Sequence, residues 1–102
     1  HSVFEEVDII VTPVWPFTLP TIKESDLRAN PEAEPLVQRI GHNTRPVNFL
    51  GLPAVCIPTG FDRNEVPVSL QLIGSPYSEN TLLNVAKKLE NEYSFWDQRP
   101  KI

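Results

Sequence analysis

The stretch Asn43-Thr-Arg-Pro-Val-Asn-Phe-Leu-Gly-Leu-Pro-Ala-Val-Cys-Ile-Pro-Thr-Gly60, with the run Val66-Pro-Val-Ser-Leu-Gln-Leu-Ile-Gly74 after it, decides the fold. The turn Gly51-Leu-Pro53 leads into the apolar segment 54–58. In the second run, apolar side chains alternate with three others: Pro67, Ser69 and Gln71. A period of two with a polar connection before it predicts an antiparallel pair of strands.

A third strand is predicted upstream, at Val7-Asp-Ile-Ile-Val-Thr12. This β-branched run, which ends at Pro13, is typical of a central, parallel strand buried on both faces. A buried turn of helix has the same pattern over so short a length, and the period alone leaves both open. Residues 12–20 contain Pro13, Pro16 and Pro20. Since proline removes backbone donors, we expect an ordered loop there, anchored by Trp15 and Phe17.

Helices are predicted on either side of the strand pair. The first begins near Asn30-Pro31 or Glu34-Pro35, and Gly41 and Pro46 interrupt or bend it before residue 50. The second has Ser78 as its N-cap. Its apolar face comprises Leu82, Leu83, Val85, Ala86, Leu89 and Tyr93. Near the end, Phe95 and Trp96 are expected to pack back onto the chain.

The fold class is therefore α/β, with about three strands and two to three helices. A chain of 102 residues and 11.6 kDa can bury one modest core, so residues 1–102 form one unit without internal domains. Three strands leave two unpaired sheet edges, and a strand buried on both faces needs further cover. We expect other polypeptide to supply it.

Composition excludes several classes of function. Nine Lys and Arg against thirteen Asp and Glu give a formal charge of −4, and the basic residues are scattered, which argues against nucleic acid as a direct partner. The apolar runs fall far short of the ~20 residues that span a bilayer, and the first residues do not resemble a leader. We therefore expect a cytoplasmic chain with no membrane partner.

Cys56 is the single cysteine, so the chain cannot form an internal disulfide. Its apolar neighbours predict a buried, inert side chain, and a nucleophilic thiolate is the alternative.

Six short motifs occur in an order that resembles the C-terminal portion of amidase signature enzymes. They are Ile9-Ile-Val-Thr-Pro13, Asn43-Thr-Arg-Pro-Val-Asn48, Gly51-Leu-Pro-Ala54, Ile57-Pro-Thr-Gly60, Pro67-Val-Ser-Leu-Gln-Leu-Ile-Gly74 and Thr81-Leu-Leu83. Such enzymes hydrolyse carboxylic amides, or release ammonia from glutamine for the transamidation of misacylated tRNA. The resemblance implies that this chain is the C-terminal fragment of an amidase signature domain, whose large mixed sheet is flanked by helices.

The catalytic group that the resemblance implies is a Ser nucleophile, a second Ser held by a cis peptide, and a Lys. None of it can be placed on this chain, which has no Ser-Ser pair and no Gly/Ser-rich run. The lysines are all in polar or terminal positions: Lys23, Lys87, Lys88 and Lys101. We therefore predict that the missing N-terminal part carries the chemistry and that these residues alone are inactive. No metal or organic cofactor is expected, since no Cys/His cluster has ligand spacing and no Gly-rich phosphate loop is present.

What carries over from the resemblance is scaffold and pocket wall, because loops at strand ends build the substrate sites of α/β sheets. The candidates for a substrate pocket are Thr12, Trp15, Phe17, Thr44 and Asn48. Trp15 and Phe17 could equally be packing anchors of a proline-rich loop. Thr44 and Asn48 could equally hold the turn at residues 51–53 by hydrogen bonds. Both pairs of alternatives stay open.

Two polar positions bear on the type of enzyme. His42 is either a general base or a solvent-facing residue. The A-subunits of glutamine-dependent amidotransferases, as the resemblance suggests, carry an acidic residue three positions before Thr44, suited to the ammonium of glutamine, and Gly41 stands there instead. That favours a general amidase, with a small-molecule amide as substrate and a homo-oligomer possible. The rival hypotheses are an amidotransferase A-subunit and a noncatalytic module that binds through its open sheet edge.

Overall fold

A three-stranded antiparallel sheet organises the chain, and the computed structural model describes residues 2–15, 17–94 and 97. The strands are β1 (Ile9–Pro13), β2 (Ala54–Phe61) and β3 (Pro67–Gly74), in the order β1-β3-β2. The helices are α1 (Ile22–Ser25), α2 (Glu34–Ile40), α3 (Arg45–Leu50) and α4 (Glu79–Tyr93), with 3-10 turns at Ser2–Glu5 and Pro31–Ala33. The α/β class and the three strands are confirmed. The expected packing of Phe95 and Trp96 lies outside the described residues.

The predicted hairpin is formed by β2 and β3. Strand β2 continues past the predicted end at Pro58, whereas β3 has the predicted length, shifted by one residue. Their register pairs Ile57 with Leu70 and shifts once, between Pro58 and Gly60. The carboxylate of Asp62 closes the connection, since it accepts from the N–H of Asn64 at 2.8 Å and of Val66 at 3.0 Å. These bonds satisfy donors that the tight turn leaves without a ladder partner.

The position predicted for β1 is wrong, although its strand conformation is confirmed. Within the described sheet it is an outer strand, and it pairs with β3 antiparallel, with Val11 opposite Leu72. Ile9 packs against the core, but Val11 on the same face is 55% exposed, so the described residues cover this strand only in part. A short β-branched run carries no information about its neighbours, and the same residues suit a central or an outer strand.

The predicted break in the first helix is confirmed. A 3-10 turn at Pro31–Ala33 leads into α2, and α2 ends at Ile40 before Gly41. Pro46 then occupies the first turn of α3, and Gly51 ends α3 with φ of 66°, a left-handed conformation that glycine adopts without strain. The described residues hold four helices instead of two to three, because Thr21 caps one further turn, α1, by accepting from the N–H of Glu24 at 3.2 Å.

The core lies between α4 and one face of the β2–β3 pair. Its buried members are Ile57, Leu72, Leu82 and Ala86. Two residues predicted on the buried face of α4 are outside it, since Leu83 is 59% and Tyr93 56% exposed. Helix α4 contacts only a narrow sheet, so its buried stripe is narrower than its apolar stripe. Ser78 is the N-cap residue as predicted, but its hydroxyl donates to Ser75 O at 2.6 Å.

The opposite sheet face is tied to the segment between α2 and α3 by a buried amide. Gln71 on β3 is 3% exposed. Its Nε2 donates to Thr12 Oγ1 at 3.1 Å and to the carbonyl of Asn43 at 2.9 Å. The Nδ2 of Asn43 in turn donates to the carbonyl of Pro13 at 3.0 Å. Two amides thus connect the central strand, the end of β1 and the start of α3.

The described residues leave part of this face open along β2. The prediction that Cys56 is buried is wrong, because Cys56 lies on an outer strand of the described sheet and is exposed. Partial desolvation still raises the pKa of the Cys56 thiol, which disfavours the thiolate that a nucleophile needs. Phe49 on α3 is 90% exposed. Of the helices in residues 2–15, 17–94 and 97, none has the length and apolar character to cross a bilayer.

We predict that Gly74→Ala destabilises the fold by about 1–3 kcal/mol, because the added methyl overpacks a closed contact. It would collide with Ser78 Oγ and stand 3.3 Å from both terminal carbons of Leu82. Urea denaturation followed by circular dichroism measures the loss. The loss of unfolding free energy caused by Gly74→Ala should be smaller in a Ser78→Ala background, where the hydroxyl that the methyl meets is absent. An equal cost in both backgrounds would contradict the contact.

We predict that Gln71→Leu lowers the free energy of unfolding by about 1–3 kcal/mol, since Asn43 O and Thr12 Oγ1 lose their donor. Gln71→Glu should cost more at neutral pH, because its buried carboxyl faces two oxygens and its folded pKa rises. That deficit should grow as the pH increases above about 4.3, the unfolded pKa of the carboxyl. The matched control is Gln38→Leu, an exposed glutamine that donates to Glu34 Oε1 at 3.1 Å. A loss as large in the control as in Gln71→Leu would show that burial is irrelevant.

Candidate functional site

The aromatic residues of the proline-rich loop line a shallow recess. Val14 N–H donates to Ser69 O at 3.2 Å and holds the start of the loop against β3. From there Trp15 and Phe17, both half-buried, face the β2–β3 connection across a space of about 250 Å³. Its other lining residues are Pro13, Thr18, Asp62, Val68 and Ser69. The recess therefore combines an aromatic wall with a rim of hydroxyl and carboxylate groups.

A cation stands over one ring of this wall. The guanidinium carbon of Arg39, on α2, lies 5.0 Å from the centroid of the Phe17 ring. At this distance the ring quadrupole attracts the charge. This contact attaches the loop to α2 as well as to the sheet. Phe17 therefore packs against Arg39 and also lines the recess.

Thr12 is directed away from the recess. Successive residues of a strand point to opposite faces, and Pro13 lines the recess whereas Thr12 Oγ1 accepts from Gln71 on the α3 side. The structure therefore separates Thr12 from Trp15 and Phe17. It lies instead with Gln71 and Asn43.

Thr44 and Asn48 lie one turn apart at α3. The half-buried Thr44 Oγ1 donates to Gly41 O at 3.3 Å, and Asn48 is exposed. The turn after α3 is held by main-chain bonds, with Gly51 N–H to Asn48 O and Leu52 N–H to Val47 O, both 3.2 Å. Thr44 thus bonds on the α2 side instead of at that turn. The five predicted residues form two groups, one at the recess and one at Gln71 and α3.

Sequence reasoning missed the two amides that link these groups. Asn43 begins the quoted motif, and Gln71 stands in the alternating run. The position of Gln71 inside a strand pattern indicates a polar contact on one face of the sheet. Alternation assigns the side chain to that face but does not predict which element covers it. The sequence therefore contains both linking residues but does not predict which groups they bond.

Other polar residues considered from the sequence lie on the surface. His42 is exposed, as are Lys23, Lys87 and Lys88, and Lys101 is outside the described residues. Within the described part of the chain, no three His, Cys, Asp or Glu side chains are grouped so that they could hold a metal ion.

Comparison with known proteins bears on the resemblance. A family model described as Amidase matches residues 1–83. The chain is 38% identical over 99 residues to a fatty acid amide hydrolase of Medicago truncatula, which is 97% of this chain and 16% of that relative. It is also 38% identical over 101 residues to the glutamyl-tRNA(Gln) amidotransferase A-subunit of Prochlorococcus marinus, 99% of this chain and 20% of that relative.

A solved structure agrees with these relatives. The crystal structure of the glutamyl-tRNA(Gln) amidotransferase A-subunit from Thermotoga maritima superimposes with a TM-score of 0.76 and 30% identity, over 92% of this chain and 19% of that chain. The chain thus spans about a fifth or less of the length of these proteins. The fold and the resemblance predicted from the six motifs are confirmed, and the chain belongs to the amidase family.

Proposed function

We propose that this chain is the C-terminal segment of an amidase-type hydrolase that cleaves linear carboxylic amides. The reacting Ser–cis-Ser–Lys group belongs to polypeptide outside these 102 residues. In the complete enzyme the nucleophilic serine attacks the amide carbonyl, ammonia or an amine leaves, and water hydrolyses the acyl-enzyme ester. The 102 residues supply scaffold and part of the pocket wall.

One observation carries the proposal: nearly the whole chain matches proteins about five to six times its length. The match covers 97% of this chain and 16% of the plant amide hydrolase. The exposed surface fits the same view, since Phe49 and Val11 are apolar side chains that the described residues leave uncovered. Large apolar side chains exposed on two sides of a small sheet are typical of surfaces that bind further polypeptide.

The geometry around Gly41 favours a general amidase over an amidotransferase. A Cβ at residue 41 would stand 3.1 Å from Arg45 Nε and 3.4 Å from its Nη2. The guanidinium of Arg45 therefore lies in close contact with the place where an acidic side chain would begin. A cation there repels the α-ammonium of glutamine and leaves a neutral amide unaffected.

The pocket wall is assigned to the aromatic loop. Trp15 and Phe17 present apolar surface to the recess, suited to an acyl or aryl group. Thr44 and Asn48 remain predictions for polar contacts on the α3 side, and Thr12 has its hydroxyl engaged by Gln71. The cytoplasmic location and a homo-oligomer also stay predictions.

We predict that the 102-residue chain releases no ammonia above background, whereas the product of the whole reading frame hydrolyses simple amides. Glutamine should be the poorer substrate by about tenfold or more in kcat/KM, because Arg45 opposes its ammonium. A coupled ammonia assay with acetamide, benzamide and glutamine measures both. Turnover by the purified 102 residues, of verified mass, would refute the missing-site argument. A clear preference for glutamine would support the amidotransferase alternative instead.

We predict that Trp15→Ala in that longer protein raises KM for benzamide about tenfold and changes acetamide hydrolysis by less than about twofold. The reason is that a lost aromatic wall removes contacts with a large acyl group only. The matched control is Tyr77→Ala, which removes an exposed aromatic side chain. Equal losses for both amides would place Trp15 in packing instead of the pocket.

A further inference from the structure

Asn43 bonds to both groups of candidate site residues. On one side its main-chain carbonyl accepts from Gln71 Nε2 at 2.9 Å, next in sequence to Thr44. On the other its Nδ2 donates 3.0 Å to the carbonyl of Pro13, the last residue of β1 and the first lining residue of the recess. The side chain thus spans from the α2–α3 segment to the base of the aromatic loop.

The loop depends on such outside contacts. Residues 13–20 contain Pro13, Pro16 and Pro20, which have no N–H to donate. Its described attachments come from other elements: Val14 N–H bonds to β3, and Arg39 of α2 stands over Phe17. The bond from Asn43 fixes the carbonyl immediately before Val14. Together with the bond from Val14 N–H to Ser69 O, it orients the peptide unit through which the chain leaves β1.

The main chain at Asn43, from which this side chain donates, is itself held in place. Because Gln71 is buried and holds both Thr12 Oγ1 and Asn43 O, the main chain at residue 43 cannot shift without breaking a bond inside the sheet layer. A carboxamide on a fixed main chain is a directional donor. The bond to Pro13 thus transmits the position of the central strand to the loop.

We infer that Asn43 is a positioning residue, which sets the placement of the Trp15–Phe17 wall relative to the α2–α3 segment. Its relevance to substrate rests on the proposed function, in which that wall contacts the acyl group. Loss of the Nδ2 donor releases the start of the loop from the α2–α3 segment and leaves β1–β3 pairing and the Val14–Ser69 bond intact. Selectivity for large acyl groups therefore depends on a residue that touches no substrate.

The first test reports on the loop without any turnover. The full-length protein is labelled with 5-fluorotryptophan, and the fluorine resonance of Trp15 is assigned by its loss in Trp15→Phe. In Asn43→Ala and in the isosteric Asn43→Asp, this resonance should shift and broaden, while circular dichroism stays unchanged. Asn84→Ala, which removes an exposed asparagine on α4, is the control. A Trp15 resonance that is identical in all variants would overturn the inference.

The second test measures selectivity in the same proteins. Misplacement of the wall should raise KM for benzamide about tenfold in Asn43→Asp, with kcat and acetamide hydrolysis nearly unchanged. A merely structural role would lower activity towards both amides alike, through loss of folded protein. If the parent protein hydrolyses no amide, the proposed function fails, and the fluorine spectrum still decides whether Asn43 positions Trp15.

Discussion

The buried amide of Gln71 is the contact on which the two layers of this structure depend. Helix α4 packs on its face of the sheet through apolar side chains, and such contacts have little directional preference. On the opposite face the amide donates to a β1 hydroxyl and to the carbonyl of Asn43. Since hydrogen bonds require a set distance and angle, these two bonds fix the position of the α2–α3 segment relative to β1 and β3. The placement of α3 follows from it.

The strand order explains where the structure is open. With β3 in the middle and bonded on both sides, α4 lies over the β2–β3 pair on one face, and the segment before α3 lies over the β1–β3 side on the other. On each face the described residues thus cover one outer strand only in part, which exposes Val11 on β1 and Cys56 on β2. The two covering elements therefore lie over opposite halves of the sheet, one on each face. A strand pattern that was interpreted as doubly buried fits this arrangement only with further polypeptide on β1.

Local sequence signals predict the individual helices, strands and turns, but they do not predict which elements pack against each other. The hairpin, the break at Gly41 and the N-cap at Ser78 follow from turn chemistry and capping, which act within a few residues. The direction of β1 and the burial of Gln71 depend on residues about 60 positions apart, between 12 and 71. No periodicity encodes such a pairing. The errors at Val11 and Cys56 therefore have one origin, the unknown identity of the covering layer.

The candidate site shows the same division. That Trp15 and Phe17 share one recess could be predicted, because a short loop after a strand keeps them together. That Thr12 faces away from them follows from strand alternation, once β1 is known to extend to Pro13. A proline-rich loop has few donors and must take its shape from the elements around it, here β3, α2 and Asn43. The shape of the proposed pocket wall is thus determined by the scaffold around the loop.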